Sequence, residues 1–291
     1  MIDVLIALAP ATILAVVFFG LDALLIIATC VVASVLSEFI FNVLCKRKQT
    51  VGDLSAAVTG LILALSLPTT VTIWQCVVGA VFATIIVKCV FGGYGYNFAN
   101  PAATARVMLL IAFSASVAGG TMPALAEITS GATPMAVLGG QEGTLPSLLD
   151  MLLGTRGGAI GETCALALLA GGVYLIIRRV ISWQIPVVYI ASVFALSFAI
   201  TGDLNKTLYH LLGGGLIFGA VFMATDPVTS PKKWIGKTIF ALGCGLLTVM
   251  IRFWGAYPEG ASFAILIMNI VTPYLNMIGE KKNDGGAENE G

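Results

Sequence analysis

The sequence has few charged residues and only one histidine, and both shortages limit what the protein can be. Charged residues make up 10% of its 291 positions and hydrophobic residues 58%, with a mean hydropathy of +0.99. Soluble domains carry about 25% charged residues, so this chain cannot cover a surface that faces water. Its apolar runs are continuous and about 17–22 residues long, which predicts membrane-spanning α-helices and excludes the short alternating strands of a barrel.

The sequence also lacks the spacings of a metal or iron–sulfur site. No two of the six cysteines have CxxC spacing, and five of them lie in or at the ends of apolar runs, which predicts small buried side chains. The sixth, Cys45, adjoins the basic triplet KRK. Pairing of a cysteine with another subunit stays open. His210 has no second histidine to complete a metal site, so it is interpreted as a packed, hydrogen-bonded side chain.

Ten apolar segments are predicted to span or nearly span the membrane. The first has no basic residues before it and is followed at once by another apolar run, so it is interpreted as a helix and not as a cleavable signal peptide. The segments, numbered one to ten, cover residues 3–20, 22–44, 53–68, 71–91, 100–117, 161–179, 183–201, 206–224, 235–253 and 260–278. Segments three and eight are the least hydrophobic, and each is closed by a proline.

Lysine and arginine are distributed unevenly between the two ends of these segments. With the N-terminus in the cytoplasm, the basic residues of the cytoplasmic side are Lys46, Arg47, Lys48, Lys88, Arg178, Arg179, Lys232, Lys233, Lys237, Lys281 and Lys282. Only Arg156, Lys206 and Arg252 fall outside, and Arg106 lies within segment five. The positive-inside rule therefore predicts that both termini are cytoplasmic and that the long loop 118–160 is extracytoplasmic.

The 118–160 loop divides the ten segments into two sets of five. Because five is odd, two like halves have opposite orientations, and short or glycine-interrupted segments at matching places, three and eight, are typical of an inverted repeat with a central site. The alternative is that glycine-rich helices simply pack closely. The predicted organisation is a first half at 1–117, the loop, a second half at 161–279 and a disordered cytoplasmic tail at 280–291.

The stretch SGATP, residues 130–134, is small, polar and set in the loop. Thr133 before Pro134 is a typical helix start, with threonine as N-cap and proline at the first helical position. Small neighbours also leave the hydroxyl accessible to another protein's active site. No histidine, lysine or cysteine lies nearby to act as a base, so a reaction at Thr133 is predicted to be a modification by a separate enzyme.

The glycine-rich stretch FGGYGYNFANPAATARV, residues 91–107, has two interpretations. It can be a tight cytoplasmic turn followed by a helix start at Asn100-Pro101, or Asn97 and Asn100 can line a polar cavity between the halves. It is not a dinucleotide fingerprint, because membrane segments flank it. Arg106 lies a short way into a spanning helix, where a cation is costly. A structural ion pair and a cofactor contact are equally open for it.

Three carboxylates lie in or beside the predicted segments. Asp53 and Asp226 fall at cytoplasmic ends, and each is either a cap or turn former or part of an ion or proton pathway. Glu38 lies about two turns from the KRK triplet and is predicted to extend its side chain toward it.

Four ordered motifs of the chain resemble the D subunit of the Rnf electron-transport complex and the related B subunit of the sodium-pumping NADH:quinone reductase. The motifs are SGAT, GDLSAAVTGLILALSLP at 52–68, FGGYGYNFANPAATARV and MATDPVTSP at 223–231. The resemblance covers most of the chain. It implies a fold similar to urea and ammonium channels. One departure is Glu127, where the family usually has aspartate six residues before the threonine.

The resemblance implies that Thr133 carries covalent FMN through a phosphoester bond, with Ser130, Gly131 and Ala132 completing the attachment motif. It also implies a second, non-covalent flavin, riboflavin or FMN, which some members hold. The implied partners are the A and E membrane subunits, the flavin-carrying G protein of the complex, the B and C iron–sulfur subunits, a flavin transferase and the lipid of a bacterial or archaeal cytoplasmic membrane. No nucleic acid is expected.

The function implied is an electron relay in a complex that moves electrons between ferredoxin and NAD and couples this to Na⁺ or H⁺ translocation. A flavin supplies the redox chemistry, and the protein supplies its position and electrostatics. The alternative is a solute channel or transporter, because ten helices in two inverted halves are also a transporter plan. The SGAT loop distinguishes the two, since a channel has no need of it.

Overall fold

The computed structural model describes residues 1–118, 133–140, 142–154, 156–162, 164–255, 257 and 259–278. These residues form helices and turns without a strand longer than an isolated bridge, which is the architecture of a helical membrane protein. The α-helices are α1 (Ile2–Leu44), α2 (Ser55–Leu65), α3 (Ile73–Val81), α4 (Pro101–Ala112), α5 (Ser114–Val117), α6 (Pro134–Leu138), α7 (Leu148–Leu153), α8 (Ala165–Ile177), α9 (Gln184–Thr201), α10 (Leu204–Leu212), α11 (Leu216–Phe218), α12 (Trp234–Trp254) and α13 (Ala261–Met277).

Irregular turns extend three of these helices. A 3₁₀ turn at Val51–Asp53 precedes α2, and π-helical turns continue α3 through Phe82–Cys89 and α11 through Gly219–Met223. Gly20 breaks α1, with φ 69° and ψ −146°. This conformation is open to glycine and costly for other residues, so α1 is two helical pieces that meet at the boundary predicted between segments one and two.

Few of the helices are long enough to cross a membrane alone. Within the described residues, α1, α9 and α12 have the length and apolar composition of a span, and α10 with Leu216–Met223 makes a fourth if this pair, bent by 55°, is counted as one. Shorter apolar helices occupy the other predicted segments. A ten-span topology therefore stays a prediction.

The chain before the 118–160 loop and the chain after it are called here the first and the second half. Each packs around its own long helices, and small residues allow the close contacts. In the first half α1 lies against α2 and α3, and in the second α12 lies between α9 and α13. A Cβ on Gly60 would stand 2.6 Å from the Cys30 carbonyl oxygen of α1. Such contacts are how helices associate where lipid removes the hydrophobic driving force. The halves meet where α13 packs on α4 and α8 on α1.

The four tryptophans all lie at helix ends and are exposed. Trp74 and Trp234 are in the first turns of α3 and α12, Trp254 ends α12, and Trp183 precedes α9, with exposed fractions between 55% and 72%. Tryptophan is enriched at the two membrane–water interfaces. Their positions are typical of helices that end near a membrane surface.

Candidate functional site

A cavity lies between the two halves, beside the N-terminal residue Met1. Its volume is about 140 Å³ and it is partly open to the surface. Its polar lining includes Ser55, Lys88, Asn97 and Asp226, which come from both halves and from three of the stretches singled out in the sequence. Typical small-molecule pockets have about 300–1,000 Å³. A larger ligand would therefore keep part of its structure in the open mouth.

Asn97 lines this cavity, and its side chain has one unused acceptor. The loop before it turns at Gly92, Gly93 and Gly95, whose φ angles of 98° to 122° suit glycine. The amide nitrogen of Asn97 donates to the Ala99 carbonyl at 3.1 Å. Its Oδ1 is buried and has no hydrogen-bond partner within the described part of the chain. Buried polar atoms are nearly always paired, so this oxygen calls for a ligand or a water.

Asn100 also lines the cavity, but its polar groups are occupied. Its Oδ1 accepts from Ala103 N at 3.1 Å and caps α4. Its Nδ2 donates to the Met223 carbonyl at 3.1 Å, and its backbone N–H donates to Asn269 Oδ1 at 3.0 Å. Both of the latter partners belong to the second half. Asn100 is thus the helix start that the sequence predicted and also a connection between the halves.

Lys88 and Glu38 form a buried ion pair at the cavity wall. Lys88 Nζ lies 3.1 Å from both carboxylate oxygens of Glu38, and each residue is 1% exposed. The same ammonium donates to Ser55 Oγ at 2.5 Å. The prediction that Glu38 extends toward the KRK triplet is therefore wrong. Its side chain turns into the bundle because a cation fifty positions away is packed beside it there.

Asp53 and Asp226 both form local turns near the mouth of the cavity. Asp53 is exposed and accepts from the backbone N–H and hydroxyl of Ser55 at 2.7 and 2.5 Å. Asp226 accepts from Val228 N and from the Thr229 hydroxyl, both at 3.2 Å. Burial raises the pKa of the Asp226 carboxyl, and these two hydrogen bonds offset the rise in part.

The phenol of Tyr94 is affected by the charges of both of these carboxylates. Partial burial and the negative charges of Asp226 and Asp53 raise the pKa of its phenol above the ordinary value. The negative charges of Asp226 and Asp53 therefore act on this exposed tyrosine. Asp53 and Asp226 have the turn-forming role that the sequence allowed, and a pathway role for them stays a prediction.

Arg106 forms an ion pair between the halves. Its guanidinium lies 2.5 Å from Glu259 Oε2, in the turn that precedes α13, and it also donates to the Val117 carbonyl at 3.3 Å. Arg106 is 2% exposed. The structural ion pair, one of its two predicted roles, is present. The cofactor contact stays a prediction.

A second buried cluster lies at the break between α10 and α11. Arg252 donates to the carbonyls of His210, Gly213 and Gly214 at 2.5, 3.1 and 3.1 Å. Arg156 donates to the Leu212 carbonyl at 2.7 Å and to the Glu162 carbonyl at 2.9 Å. Sequence reasoning missed this cluster. Its signal was the Gly213–Gly215 run in segment eight together with isolated charges in apolar surroundings.

The guanidinium groups of this cluster donate hydrogen bonds to the backbone carbonyls that lose their helical N–H partners at the break. Burial lowers the pKa of Arg156, and the negative charge of Glu162 opposes that shift. His210 packs on the Phe253 ring with centroids 4.8 Å apart. The described residues contain no group of histidine, cysteine and carboxylate side chains suited to a metal ion.

Thr133 caps α6, as the sequence predicted. Its Oγ1 accepts from Ala136 N at 3.2 Å, Pro134 opens the helix, and the side chain is half-buried. The short helix packs on α10. A Cβ on Gly214 would lie 3.2 Å from Met135 and 2.7 Å from the Arg252 guanidinium, so both side chains touch this one glycine. Thr133 is therefore two positions from a contact with the arginine cluster.

The rest of the attachment motif lies outside the described residues. This applies to Ser130, Gly131 and Ala132, and also to Glu127. Their predicted roles stay predictions. Of the predicted cofactor residues, Asn97 and Asn100 share the cavity, while Arg106 and Thr133 do not line it.

Comparison with known proteins gives consistent matches over nearly the whole chain. The model of the family described as "NQR2, RnfD, RnfE family" matches residues 1–285. The chain is 45% identical to the D subunit of the Na⁺-translocating ferredoxin:NAD⁺ oxidoreductase complex of Acetobacterium woodii, over 94% of this chain and 86% of that protein. It is 38% identical to the D subunit of the proton-translocating ferredoxin:NAD⁺ oxidoreductase complex of Clostridium ljungdahlii, over 94% and 87%.

A more distant relative extends the similarity to a second enzyme complex. The chain is 37% identical to the B subunit of the Na⁺-translocating NADH-quinone reductase of Stutzerimonas stutzeri, over 79% of this chain and 60% of that protein. The resemblance predicted from the four motifs is thus confirmed.

Proposed function

The chain belongs to the NQR2, RnfD, RnfE family, and we propose that it is the membrane electron-relay subunit of an Rnf-type ferredoxin:NAD oxidoreductase complex that translocates Na⁺ or H⁺. The observation that carries this proposal is the 45% identity to the D subunit of such a complex over 94% of the chain. The proposed partners are the A and E membrane subunits, the flavin-carrying G protein and the B and C iron–sulfur subunits. The sequence has no recognisable ferredoxin- or NAD-binding motif, so these partners would supply those sites.

The first proposed redox group is FMN attached to Thr133 through a phosphoester bond. The hydroxyl oxygen is half-buried and accepts a single hydrogen bond from Ala136 N in the described part of the chain. An esterified oxygen can still accept that bond, so attachment and helix capping are compatible. Arg252, one contact beyond Met135, offers positive charge to a phosphate group. A separate flavin transferase is the proposed modifying enzyme.

The second proposed redox group is a non-covalent flavin, riboflavin or FMN, in the cavity between the halves. Asn97 Oδ1 offers an unused acceptor there and Lys88 an ammonium donor. These match the alternating N–H donor and carbonyl acceptors along one edge of a flavin ring. When bound, the flavin would supply one- and two-electron chemistry. The protein residues would hold its polar edge and shield its apolar face with Val58, Ile62 and Phe222.

The proposed topology has ten spans in two inverted halves of a bacterial or archaeal cytoplasmic membrane. The uneven basic residues and the tryptophans at helix ends support it. In this proposed orientation Met1, Lys88 and Asp226 are on the cytoplasmic side, so the cavity that they line would open to the cytoplasm. Thr133 and the arginine cluster lie toward the outer side.

A solute channel is the second candidate, and the cavity between the halves is the observation that favours it. A channel also needs polar groups free to accept solute along its route. The carbonyls at the break of α10 are instead bonded to Arg252 and Arg156. The relay therefore accounts for more of the polar groups than the channel does.

The test of the relay is detection of the flavin on Thr133. Whole complex is purified from cells that express the flavin transferase, and the chain is analysed by intact mass and by in-gel fluorescence under ultraviolet light. We expect a fluorescent band and added mass equal to FMN less one water, both lost in Thr133→Ala. Ser147→Ala is the matched control, because Ser147 caps α7 in the same way but lies outside the motif.

Two results would count against this assignment. An unmodified mass for the wild-type chain would remove the covalent cofactor and leave the channel as the better candidate. Fluorescence retained in Thr133→Ala would place the flavin on another residue.

A further inference from the structure

We propose that Asp53, Ser55 and Lys88 form a proton relay from the cytoplasmic surface into the cavity, with Glu38 as the residue that positions Lys88. The inference rests on the proposed function, since the relay delivers protons to a reducible cofactor in that cavity. It adds a second role for Lys88 and gives a role to Asp53, Ser55 and Glu38, which the proposal of a bound flavin leaves without one.

The geometry consists of two consecutive short hydrogen bonds. The Ser55 hydroxyl donates to Asp53 Oδ1 at 2.5 Å, and the Lys88 ammonium donates to the Ser55 oxygen at 2.5 Å. Asp53 is exposed, whereas Ser55 and Lys88 are 3% and 1% exposed and line the cavity. The chain therefore connects bulk water with the cavity wall through side chains alone.

Glu38 fixes the inner end of this chain. Its carboxylate accepts from Lys88 at 3.1 Å and from the Thr50 hydroxyl at 2.6 Å, and Asn42 donates to that hydroxyl at 3.0 Å. Taking two charges out of water costs about as much as their attraction returns, so a buried ion pair is weak evidence for a role in stability. A role in holding a cation against the cavity accounts for it better.

The transfer conserves protons and moves no electrons along the relay. A proton leaves the Lys88 ammonium for an acceptor atom in the cavity, so one N–H bond breaks and one bond to hydrogen forms there. The Lys88 amine then takes the proton of the Ser55 hydroxyl, and Ser55 is reprotonated from cytoplasmic water through the Asp53 carboxylate. The electrons arrive separately, from the reduced iron–sulfur protein that the complex oxidises.

Besides Lys88, the cavity lining has three residues with titratable groups: Asp226, Tyr94 and Met1 with its terminal amine. Asp226 and Tyr94 are the competing acids. Asp226 lies on the wall contributed by the second half, and Tyr94 lies at the mouth. Asp226 is bonded to Val228 and Thr229 and has no hydrogen bond to Lys88 among the described residues. A route through Asp226 would bypass Ser55, so the two routes are separable by mutation.

The test measures proton uptake when the purified complex is reduced. Stopped-flow mixing with dithionite in the presence of a pH indicator gives the uptake rate in H₂O and D₂O, and acid extraction gives the non-covalent flavin content. The variants are Ser55→Ala, which removes the hydroxyl at a helix position that alanine tolerates, and Asp53→Asn, which keeps the acceptor oxygen but cannot carry the proton. Thr84→Val is the control. Its hydroxyl lies one turn from Lys88 and has no hydrogen-bond partner in the described part of the chain.

We expect Ser55→Ala and Asp53→Asn to slow proton uptake by roughly tenfold or more, within what positioned proton donors contribute, and to change the solvent isotope effect. Flavin content should equal that of the wild type and Thr84→Val should match the wild type in both readouts. Wild-type uptake rates in both variants with flavin bound, or slow uptake only in Asp226→Asn, would overturn the relay alone. A wild-type complex without extractable flavin would overturn the cavity's cofactor and the relay with it.

Discussion

Two asparagines three positions apart show how differently one residue type can be used. Asn100 spends its side chain on capping α4 and on the Met223 carbonyl of the other half. Only the side-chain nitrogen of Asn97 has a hydrogen-bond partner. Its oxygen has none among the described residues, although the residue lines the cavity. The first arrangement stabilises the fold. The second leaves a buried acceptor that a ligand could pair with, which is typical of a binding residue.

The two asparagines should therefore respond differently to truncation. We expect Asn97→Ala to lower the non-covalent flavin content of the purified complex several-fold while its thermal midpoint stays near that of the wild type. Asn100→Ala should lower the thermal midpoint, because losing a cap costs about 0.5–2 kcal/mol and the Met223 carbonyl also loses its hydrogen bond. Flavin extraction and a thermal melt on the same preparations decide this. The assignment fails if Asn97→Ala melts early with its flavin intact.

At the scale of the element, the break between α10 and α11 combines an unusual backbone with a cationic partner. Gly214 and Gly215 have φ angles of 61° and 63°, and their hydrogens face Arg252 and Glu162. Broken helices elsewhere aim free carbonyls at ions or substrates. Here Arg252 and Arg156 take those carbonyls, so the break is held closed by charge-assisted hydrogen bonds.

Substitution at Gly214 should cost more than its backbone conformation alone explains. Gly202 has the same φ of 61° with open space around it, whereas a Cβ on Gly214 meets the Arg252 guanidinium at 2.7 Å. We expect Gly202→Ala to cost about 1–2 kcal/mol, the usual penalty of a left-handed residue, and Gly214→Ala to cost clearly more. Thermal melts of the two variants in the same detergent give the comparison. Equal shifts would mean that Arg252 moves aside freely.

At the scale of the whole molecule, two polar connections join the halves along α4. Asn100 at its start reaches Asn269 and Met223, and Arg106 farther along reaches Glu259. The cavity lies beside the first connection. Because both connections hold residues of one half to residues of the other, relative movement of the halves would have to break them.

Exchanging the charges of Arg106 and Glu259 distinguishes a structural role of this ion pair from a role in cofactor binding. Arg106→Ala should destabilise the chain by about 3 kcal/mol, the lower part of the range for a broken buried pair, because Glu259 is 22% exposed. The exchange Arg106→Glu with Glu259→Arg should recover part of the thermal midpoint. If Arg106 acts only as an ion pair, flavin content recovers with it. Recovery of the midpoint without the flavin would identify Arg106 as a cofactor contact.

The sequence by itself determined the helical membrane class, the place of the helices and the family. These depend on information that is local or cumulative: apolar run length, the threonine–proline helix start at Thr133, the proline and glycine breaks and four motifs in order. Outside the 118–160 loop the helices follow the predicted segments and extend at most two residues beyond them, and Thr133 caps α6 within the loop. Short-range backbone preferences are enough for such features.

Only the tertiary structure decided which charges meet. Glu38 pairs with Lys88 fifty positions away and not with the basic triplet next to it, and Arg106 pairs with Glu259 at a separation of 153. The packing likewise left Asn97 Oδ1 without a partner among the described residues, whereas both polar atoms of the Asn100 side chain have one. The physical reason is that a buried charge must find its partner among whatever the packed helices place beside it, and that neighbourhood is a property of the packing and not of the local sequence.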